Sequence, residues 1–240
     1  MPRSMISSVG RQAGRTKGCP TNNNTGGSMS FAGNTSSYLT VPNSADFRFG
    51  TGDFTIEWYM YSTGSELYPR IFSMGTLSGS GSNGTTIAVS IEGVSFYFWI
   101  NKSAFLIGSV SVTNVWTHFA ITRSGTSIRV FRNGTQLGST LPSLPSSNNF
   151  NDTTNPLTFG NEGVRAQNTS YQGLITNFHI VKGTALYTAK FCVPQTPRAA
   201  VANSVLLLNA VDSGTLNTDS SGTGKTVTNV GVTFSSSKPT

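Results

Sequence analysis

Charge is scarce in this chain. Only 10% of its 240 residues are Asp, Glu, Lys or Arg, and nine of them are acids. Ala/Glu/Lys/Leu stretches of the helix-forming kind are nearly absent, which argues against a helical bundle. No apolar run approaches the ~20 residues of a membrane span. Met1 to Pro20 also lacks the continuous apolar stretch of a secretory signal, so a soluble chain not exported by the standard route is expected. Cysteine occurs twice, at Cys19 and Cys192, too few and too far apart for a zinc site or a disulfide scaffold. Two readings of the pair remain: free or buried thiols, which we prefer, or one disulfide tying the N-terminal arm to the body. No internal repeat of about 20 to 50 residues is present, which argues against propellers and solenoids.

What the chain does have is Gly, Ser, Thr and Asn in abundance around a 36% hydrophobic fraction. That composition suits many short strands joined by tight polar turns, and the length suits one large sandwich with a buried core. The net charge of +7 points at first to nucleic acid or an acidic surface. Four of the basic residues, Arg3, Arg11, Arg15 and Lys17, lie within the first 20 residues, where there is no acid. The remainder carries only about +3, with no stripe of Lys and Arg interleaved with aromatics. Residues 1–27, ending in Thr-Asn-Asn-Asn-Thr-Gly-Gly, therefore read as a flexible or partner-ordered basic arm, and residues 28–240 as the folded domain.

Alternation identifies the strands. In Asp53 to Tyr61, Phe54, Ile56, Trp58 and Met60 share one face and Thr55, Glu57, Tyr59 and Tyr61 the other. Thr86 to Ile91 and Val94 to Asn101 follow, with a turn at Glu92-Gly93 and an apolar face of Val94, Phe96, Phe98 and Ile100. Trp116 to Arg123, Ser127 to Arg132 and Thr135 to Gly138 form a meander with turns at Ser124-Gly125 and Asn133-Gly134. Leu141 to Asn155 reads as a long surface loop. Strands follow at Leu157 to Phe159, Gly173 to Val181, Val205 to Asn209 and Val227 to Phe234, and Thr184 to Tyr187 is the one expected helical turn.

Three blocks carry a family resemblance: Gly27-Ser-Met-Ser-Phe-Ala-Gly through Tyr38-Leu-Thr-Val-Pro, Phe47-Arg-Phe-Gly-Thr-Gly-Asp-Phe-Thr-Ile-Glu-Trp, and Ile180-Val-Lys-Gly-Thr-Ala-Leu-Tyr-Thr. Trp116-Thr-His-Phe-Ala with Arg123-Ser-Gly-Thr and Asn133-Gly adds a central hairpin. Together they resemble the laminin-G-like branch of the concanavalin A-like jelly rolls, of the kind found in structural proteins of double-stranded DNA viruses and phages. The resemblance implies two curved antiparallel sheets with the first strand returning beside the last. It specifies fold well and function poorly.

The resemblance carries the expectation of a virion structural protein, a minor capsid, decoration or fibre component. Its partners would be capsid or tail proteins, and the arm would meet them, nucleic acid or another acidic surface. The alternative is a module that binds host carbohydrate, with Tyr59, Tyr61, Tyr97 and Trp99 as a stacking platform. An enzyme is not expected, because Glu57 stands alone on its strand, without the second carboxylate that glycoside hydrolysis requires. His118 and His179 lie in strands, where a hydrogen-bonded structural role is the ordinary one, although sequence order alone leaves open a pairing with Ser or Cys. Calcium occurs in some relatives. Asp46 and Asp53 are the candidate ligands here, and a turn or capping role for each is favoured over a metal. Gly222-Thr-Gly-Lys225 lacks the spacing of a phosphate loop. The Asn-x-Ser/Thr triplets at Asn34, Asn83, Asn101, Asn133, Asn151 and Asn168 permit glycosylation without requiring it.

Overall fold

A computed structural model describes residues 19, 25–64, 67–75, 87–100, 103–141, 150–151, 154–162, 169–194 and 196–239. They form two antiparallel sheets packed face to face. The larger holds β10 (Thr135–Leu141), β9 (Ser127–Arg132), β8 (Thr117–Ser124), β3 (Phe54–Ser62), β12 (Gln172–Lys182), β1 (Ser28–Ala32) and β15 (Thr233–Ser235) in that order, with β13 (Ser204–Leu208) also paired to β12. The smaller holds β14 (Thr228–Val230), β2 (Tyr38–Val41), β11 (Leu157–Phe159), β4 (Arg70–Met74), β5 (Ile87–Glu92), β6 (Ser95–Ile100) and β7 (Ser103–Ser109). The first strand lies beside the last, Met29 opposite Phe234.

The core follows from the period-2 pattern. Phe54, Ile56, Trp58 and Met60 of β3 point inward and are almost wholly buried. Trp58 sits at the centre, its ring centroid 5.4 Å from Phe72, 5.7 Å from Phe119 and 6.2 Å from Phe178. Each such buried ring contributes about 2–3 kcal/mol by area removed from water. The turns follow local chemistry. Asn133 (φ 47°) and Gly134 (φ 76°) both take the left-handed conformation that a two-residue hairpin of this hand needs.

Several expectations are corrected. The β5–β6 turn is Gly93-Val94, one residue later than expected, so Val94 leaves the apolar face and is 60% exposed. Gly93, at φ 62°, is the residue able to open that turn. Thr184 to Tyr187 is not helical; a 3₁₀ turn lies instead at Ala45–Phe47, capped by Ser44. The Val227 to Phe234 strand is two short ones, broken at Gly231 (φ 66°). β4 and β7 were not anticipated. Cys19 and Cys192 form a disulfide with their Cα atoms 5.4 Å apart, against the preferred reading of two thiols. Sequence separation hid this proximity, because 173 residues of sandwich bring the two ends together. The basic arm residues Arg3, Arg11, Arg15 and Lys17, and most of the loop expected at Leu141 to Asn155, lie outside the described residues.

Candidate functional site

Each sheet has an outer face, and the two are built differently. On the larger sheet the outer face of β3 carries Thr55, Glu57 and Tyr59. An ordinary sandwich would expose them; here all three are buried. The cover is the connection between β12 and β13, residues 183–203. Thr55 Oγ1 donates to the Thr184 carbonyl at 2.9 Å and accepts from Leu186 N–H at 2.8 Å. Thr122 Oγ1 donates to the Tyr187 carbonyl at 2.8 Å, and the Tyr59 hydroxyl to the Pro194 carbonyl at 2.7 Å. Phe191 stacks on Tyr187 with ring centroids 3.5 Å apart, and its N–H donates to Gly134 O. A Cβ at Gly134 would lie 2.0 Å from the Phe191 carbonyl oxygen, so this hairpin glycine is also needed for close approach. The disulfide from Cys192 adds a covalent hold next to Phe191.

Glu57 is the centre of this cover. Its Oε1 accepts from His179 Nδ1 at 2.9 Å and Arg198 Nε at 3.0 Å; its Oε2 accepts from Tyr187 Oη at 2.8 Å and His118 Nε2 at 3.2 Å. A β-bulge brings His179 into place. Thr176 lies opposite Tyr59 but His179 opposite Glu57, a one-residue slip taken up at Asn177 (φ 51°) and Phe178. Without the slip, strict alternation would set Phe178 against Glu57 and turn His179 into the core. Burial pushes the Glu57 carboxyl upward, but hydrogen bonds from His118 and His179 and the Arg198 charge hold it well below the usual carboxylate range. Burial raises the Tyr187 and Tyr59 phenols, and the neighbouring Glu57 charge raises them further.

Ser204 Oγ lies 2.7 Å from His179 Nε2, which gives the Ser–His–acid order of a hydrolytic relay. The arrangement is sealed, however. His179 and Glu57 are at most 1% exposed, and Ser204 Oγ also accepts from Val201 N–H at 2.9 Å. Ser204 thereby links Val201, at the end of the covering segment, to His179 on β12.

The outer face of the smaller sheet has a different composition. Tyr97 and Trp99 alternate with the core residues Phe96, Phe98 and Ile100, so both point outward, ring centroids 6.4 Å apart and partly exposed. Trp99 lies between Ala88 of β5 and the exposed Ala104 of β7, small neighbours that leave its ring room. Its Nε1–H donates to Ser90 Oγ at 2.8 Å, and the Ser90 hydroxyl donates to Glu92 Oε1 at 2.9 Å. The same oxygen accepts from Arg70 Nη1 at 3.3 Å, and the Arg70 guanidinium lies 4.8 Å from the centre of the Trp99 ring. Arg70 Nε faces Glu162 Oε2 at 3.7 Å. The indole plane is thus fixed by a relay of side chains on three neighbouring strands.

The four aromatics expected to share a platform are therefore divided. Tyr59 lies under the cover of the larger sheet and Tyr61 packs on Trp116 at 5.6 Å, while Tyr97 and Trp99 stand together on the other sheet. Asp46 forms an ion pair with Lys225, whose hydrogen bond lowers its pKa, and Asp53 Oδ1 accepts from Gly125 N–H at 2.7 Å, so each has a local structural partner. Among the described residues no group of three or more His, Cys, Asp and Glu is placed to hold a metal ion. Nor is any helix among them long and apolar enough to cross a membrane. A cavity of about 170 Å³, with no charged side chain in its lining, is lined by Met60 of one sheet, Ile71 and Ile91 of the other, and Tyr171 just before β12. Sequence reading missed Arg70, Ser90, Glu92 and Glu162. The available signal was Ser90-x-Glu92 facing Tyr97-x-Trp99 across one hairpin, with Ser90 in register with Tyr97.

Solved structures share this architecture. A candidate carbohydrate-binding protein from Bacteroides ovatus superposes with a TM-score of 0.61 at 13% identity, covering 92% of this chain and 62% of that one. This chain thus spans less than two thirds of that protein. Domain 4 of AbnA, an extracellular arabinanase from Geobacillus stearothermophilus, in complex with arabinotriose, gives 0.50 at 16% identity, covering 68% of this chain and 79% of that one. The heptameric SAP-like pentraxin of Limulus polyphemus gives 0.50 at 16%, covering 67% and 77%. At these identities the likeness is one of fold. A search of curated proteins found no match. Residues 32–187, well over half of the chain, match the laminin-G model described as the concanavalin A-like lectin/glucanases superfamily, and the protein belongs to that superfamily.

Proposed function

We propose that the protein is a non-catalytic carbohydrate-binding module whose ligand lies on the outer face of β5 and β6. The observation that carries this reading is the paired, partly exposed Tyr97 and Trp99, with Trp99 held in one orientation by Ser90, Glu92 and Arg70. Partly exposed aromatic rings flanked by fixed polar groups are the chemistry that recognises a pyranose or furanose, whose C–H face stacks while its hydroxyls bond. The arabinotriose complex of a similar fold supports the class of ligand. A binding role without catalysis is favoured because Glu57, the acid first considered for glycoside cleavage, has both oxygens engaged and lies beneath chain. Glycan-array screening followed by titration calorimetry tests this. Wild-type protein should bind at least one glycan class, and Trp99→Ala should weaken binding by about 10- to 100-fold, the usual effect of losing an aromatic platform worth ~1–3 kcal/mol. Unchanged affinity in Trp99→Ala would remove the ligand from this face.

A second reading keeps the same module but mounts it on a virion, where capsid or tail proteins are its partners. The disulfide between Cys19 and Cys192 favours it, because it ties the base of the basic arm to the covering segment and suits an oxidising setting such as a particle surface. Deleting residues 1–18 should then abolish incorporation into particles while leaving the sandwich folded. Normal incorporation would end this reading.

A further inference from the structure

We propose that the Tyr97–Trp99 face selects uncharged glycans over acidic ones, and that Glu92 is the residue that sets this selectivity. The inference rests on the carbohydrate-binding reading above and names the ligand class of that site. Arg70 is the cation lying against Trp99, and cations of this kind ordinarily recruit the carboxylate of an acidic sugar. Here its charge is already taken. Arg70 lies between Glu92 Oε1 at 3.3 Å and Glu162 Oε2 at 3.7 Å, with its own side chain only 7% exposed. The guanidinium is thus already met by carboxylates before any ligand arrives. A uronate or sialate carboxylate arriving there faces the partly exposed Glu92 carboxylate and must break the Arg70–Glu92 pair to reach a donor.

A neutral sugar meets a different surface. Glu92 Oε1 takes both protein hydrogen bonds, from Ser90 and from Arg70, while the side chain keeps 20% of its surface exposed. Its second oxygen is therefore placed to accept from a ligand hydroxyl at the edge of the aromatic pair. Glu92 thus has two tasks. Through Ser90 it fixes the plane of Trp99, and by neutralising Arg70 it turns an anion site into a hydroxyl site.

The test uses the full chain, an array holding neutral and acidic glycans, and calorimetry on matched pairs, galacto-oligosaccharides against oligogalacturonides and lactose against sialyllactose. Wild-type protein should bind the neutral members at least about tenfold more tightly than the acidic ones, with the gap narrowing as salt rises from low to about 0.5 M. In Glu92→Gln, which keeps an amide oxygen for Ser90, acidic glycans should gain about tenfold relative to neutral ones, and Glu92→Asp should restore the wild-type order. Melting curves check that each variant folds, and the salt series on wild type decides the matter should Glu92→Gln not fold. Equal or tighter wild-type binding of the acidic members, or an unchanged ratio in folded Glu92→Gln, overturns the inference and leaves the carbohydrate site standing. Absence of binding to every glycan on the array overturns both.

Discussion

The outer faces of the two sheets begin from the same pattern and end as opposites. On each, aromatic and polar residues alternate with a buried apolar set: Glu57 and Tyr59 beside Trp58 on one, Tyr97 and Trp99 beside Phe98 on the other. On the larger sheet the chain returns over its own surface, with Tyr187 and Arg198 of the covering segment reaching Glu57. On the smaller sheet Ser90 and Arg70 both bond Glu92 while the rings stay partly exposed. Alternation therefore fixes which residues leave the core, but not whether they meet solvent, a ligand or the chain itself. That depends on a non-local event, the path of residues 183–203.

The comparison is broken most forcefully at Glu57. Glu57→Ala leaves His118, His179, Tyr187 and Arg198 without their shared acceptor, three of them largely buried, and should cost about 3–5 kcal/mol of unfolding free energy by urea denaturation. A loss below about 1 kcal/mol would mean that the cover is held by its backbone contacts and not by this carboxylate. The same residue sets an acid limit. Its folded pKa lies below the unfolded value of roughly 4.3. Its contribution is therefore fully present above the unfolded pKa and drains away as pH falls from there through the folded pKa. Glu57→Gln should show a shallower decline of stability below about pH 4.5 than wild type. Parallel acid profiles would place the titrating group elsewhere.

Next in size is the disulfide. It closes a loop across 173 residues, and its removal as Cys192→Ser should cost about 2–4 kcal/mol, with a reducing agent producing the same shift in the wild-type protein. If the variant unfolds at the wild-type midpoint, the noncovalent contacts of Glu57, Thr55, Tyr59 and Thr122 and the Tyr187–Phe191 stack hold the cover down without the bridge.

Much of this was legible in the residues. The core face of β3, the Asn133-Gly134 turn and the pairing of first and last strands follow from period-2 alternation, turn chemistry and family resemblance, all of which are local or motif-borne signals. The Glu57 hub was not, although its parts were visible. A lone acid between Ile56 and Trp58 and two strand histidines were each noted, but only the register slip at Asn177 and the crossing of residues 183–203 bring them together. The Cys19–Cys192 bridge escaped for the same reason. Of the aromatic platform, the β6 pair Tyr97 and Trp99 stands on an open face, while on β3 Tyr59 lies under the covering segment and Tyr61 packs on Trp116, neither of which alternation alone can show.

The smallest expected effect sharpens the comparison from the other side. Trp99→Ala removes one hydrogen bond to Ser90 and the contact with Arg70, a loss of about 1–2 kcal/mol in stability. Arg70 keeps both carboxylates and Ser90 keeps Glu92, so no charge is stranded. The variant should therefore melt within a few degrees of wild type while losing glycan affinity, the reverse of Glu57→Ala, which should lose stability through groups no ligand touches. A destabilisation by Trp99→Ala as large as that of Glu57→Ala would mean that the outer face of β6 is also a packed surface, and the distinction between a face closed by its own chain and a face left for a ligand would fall.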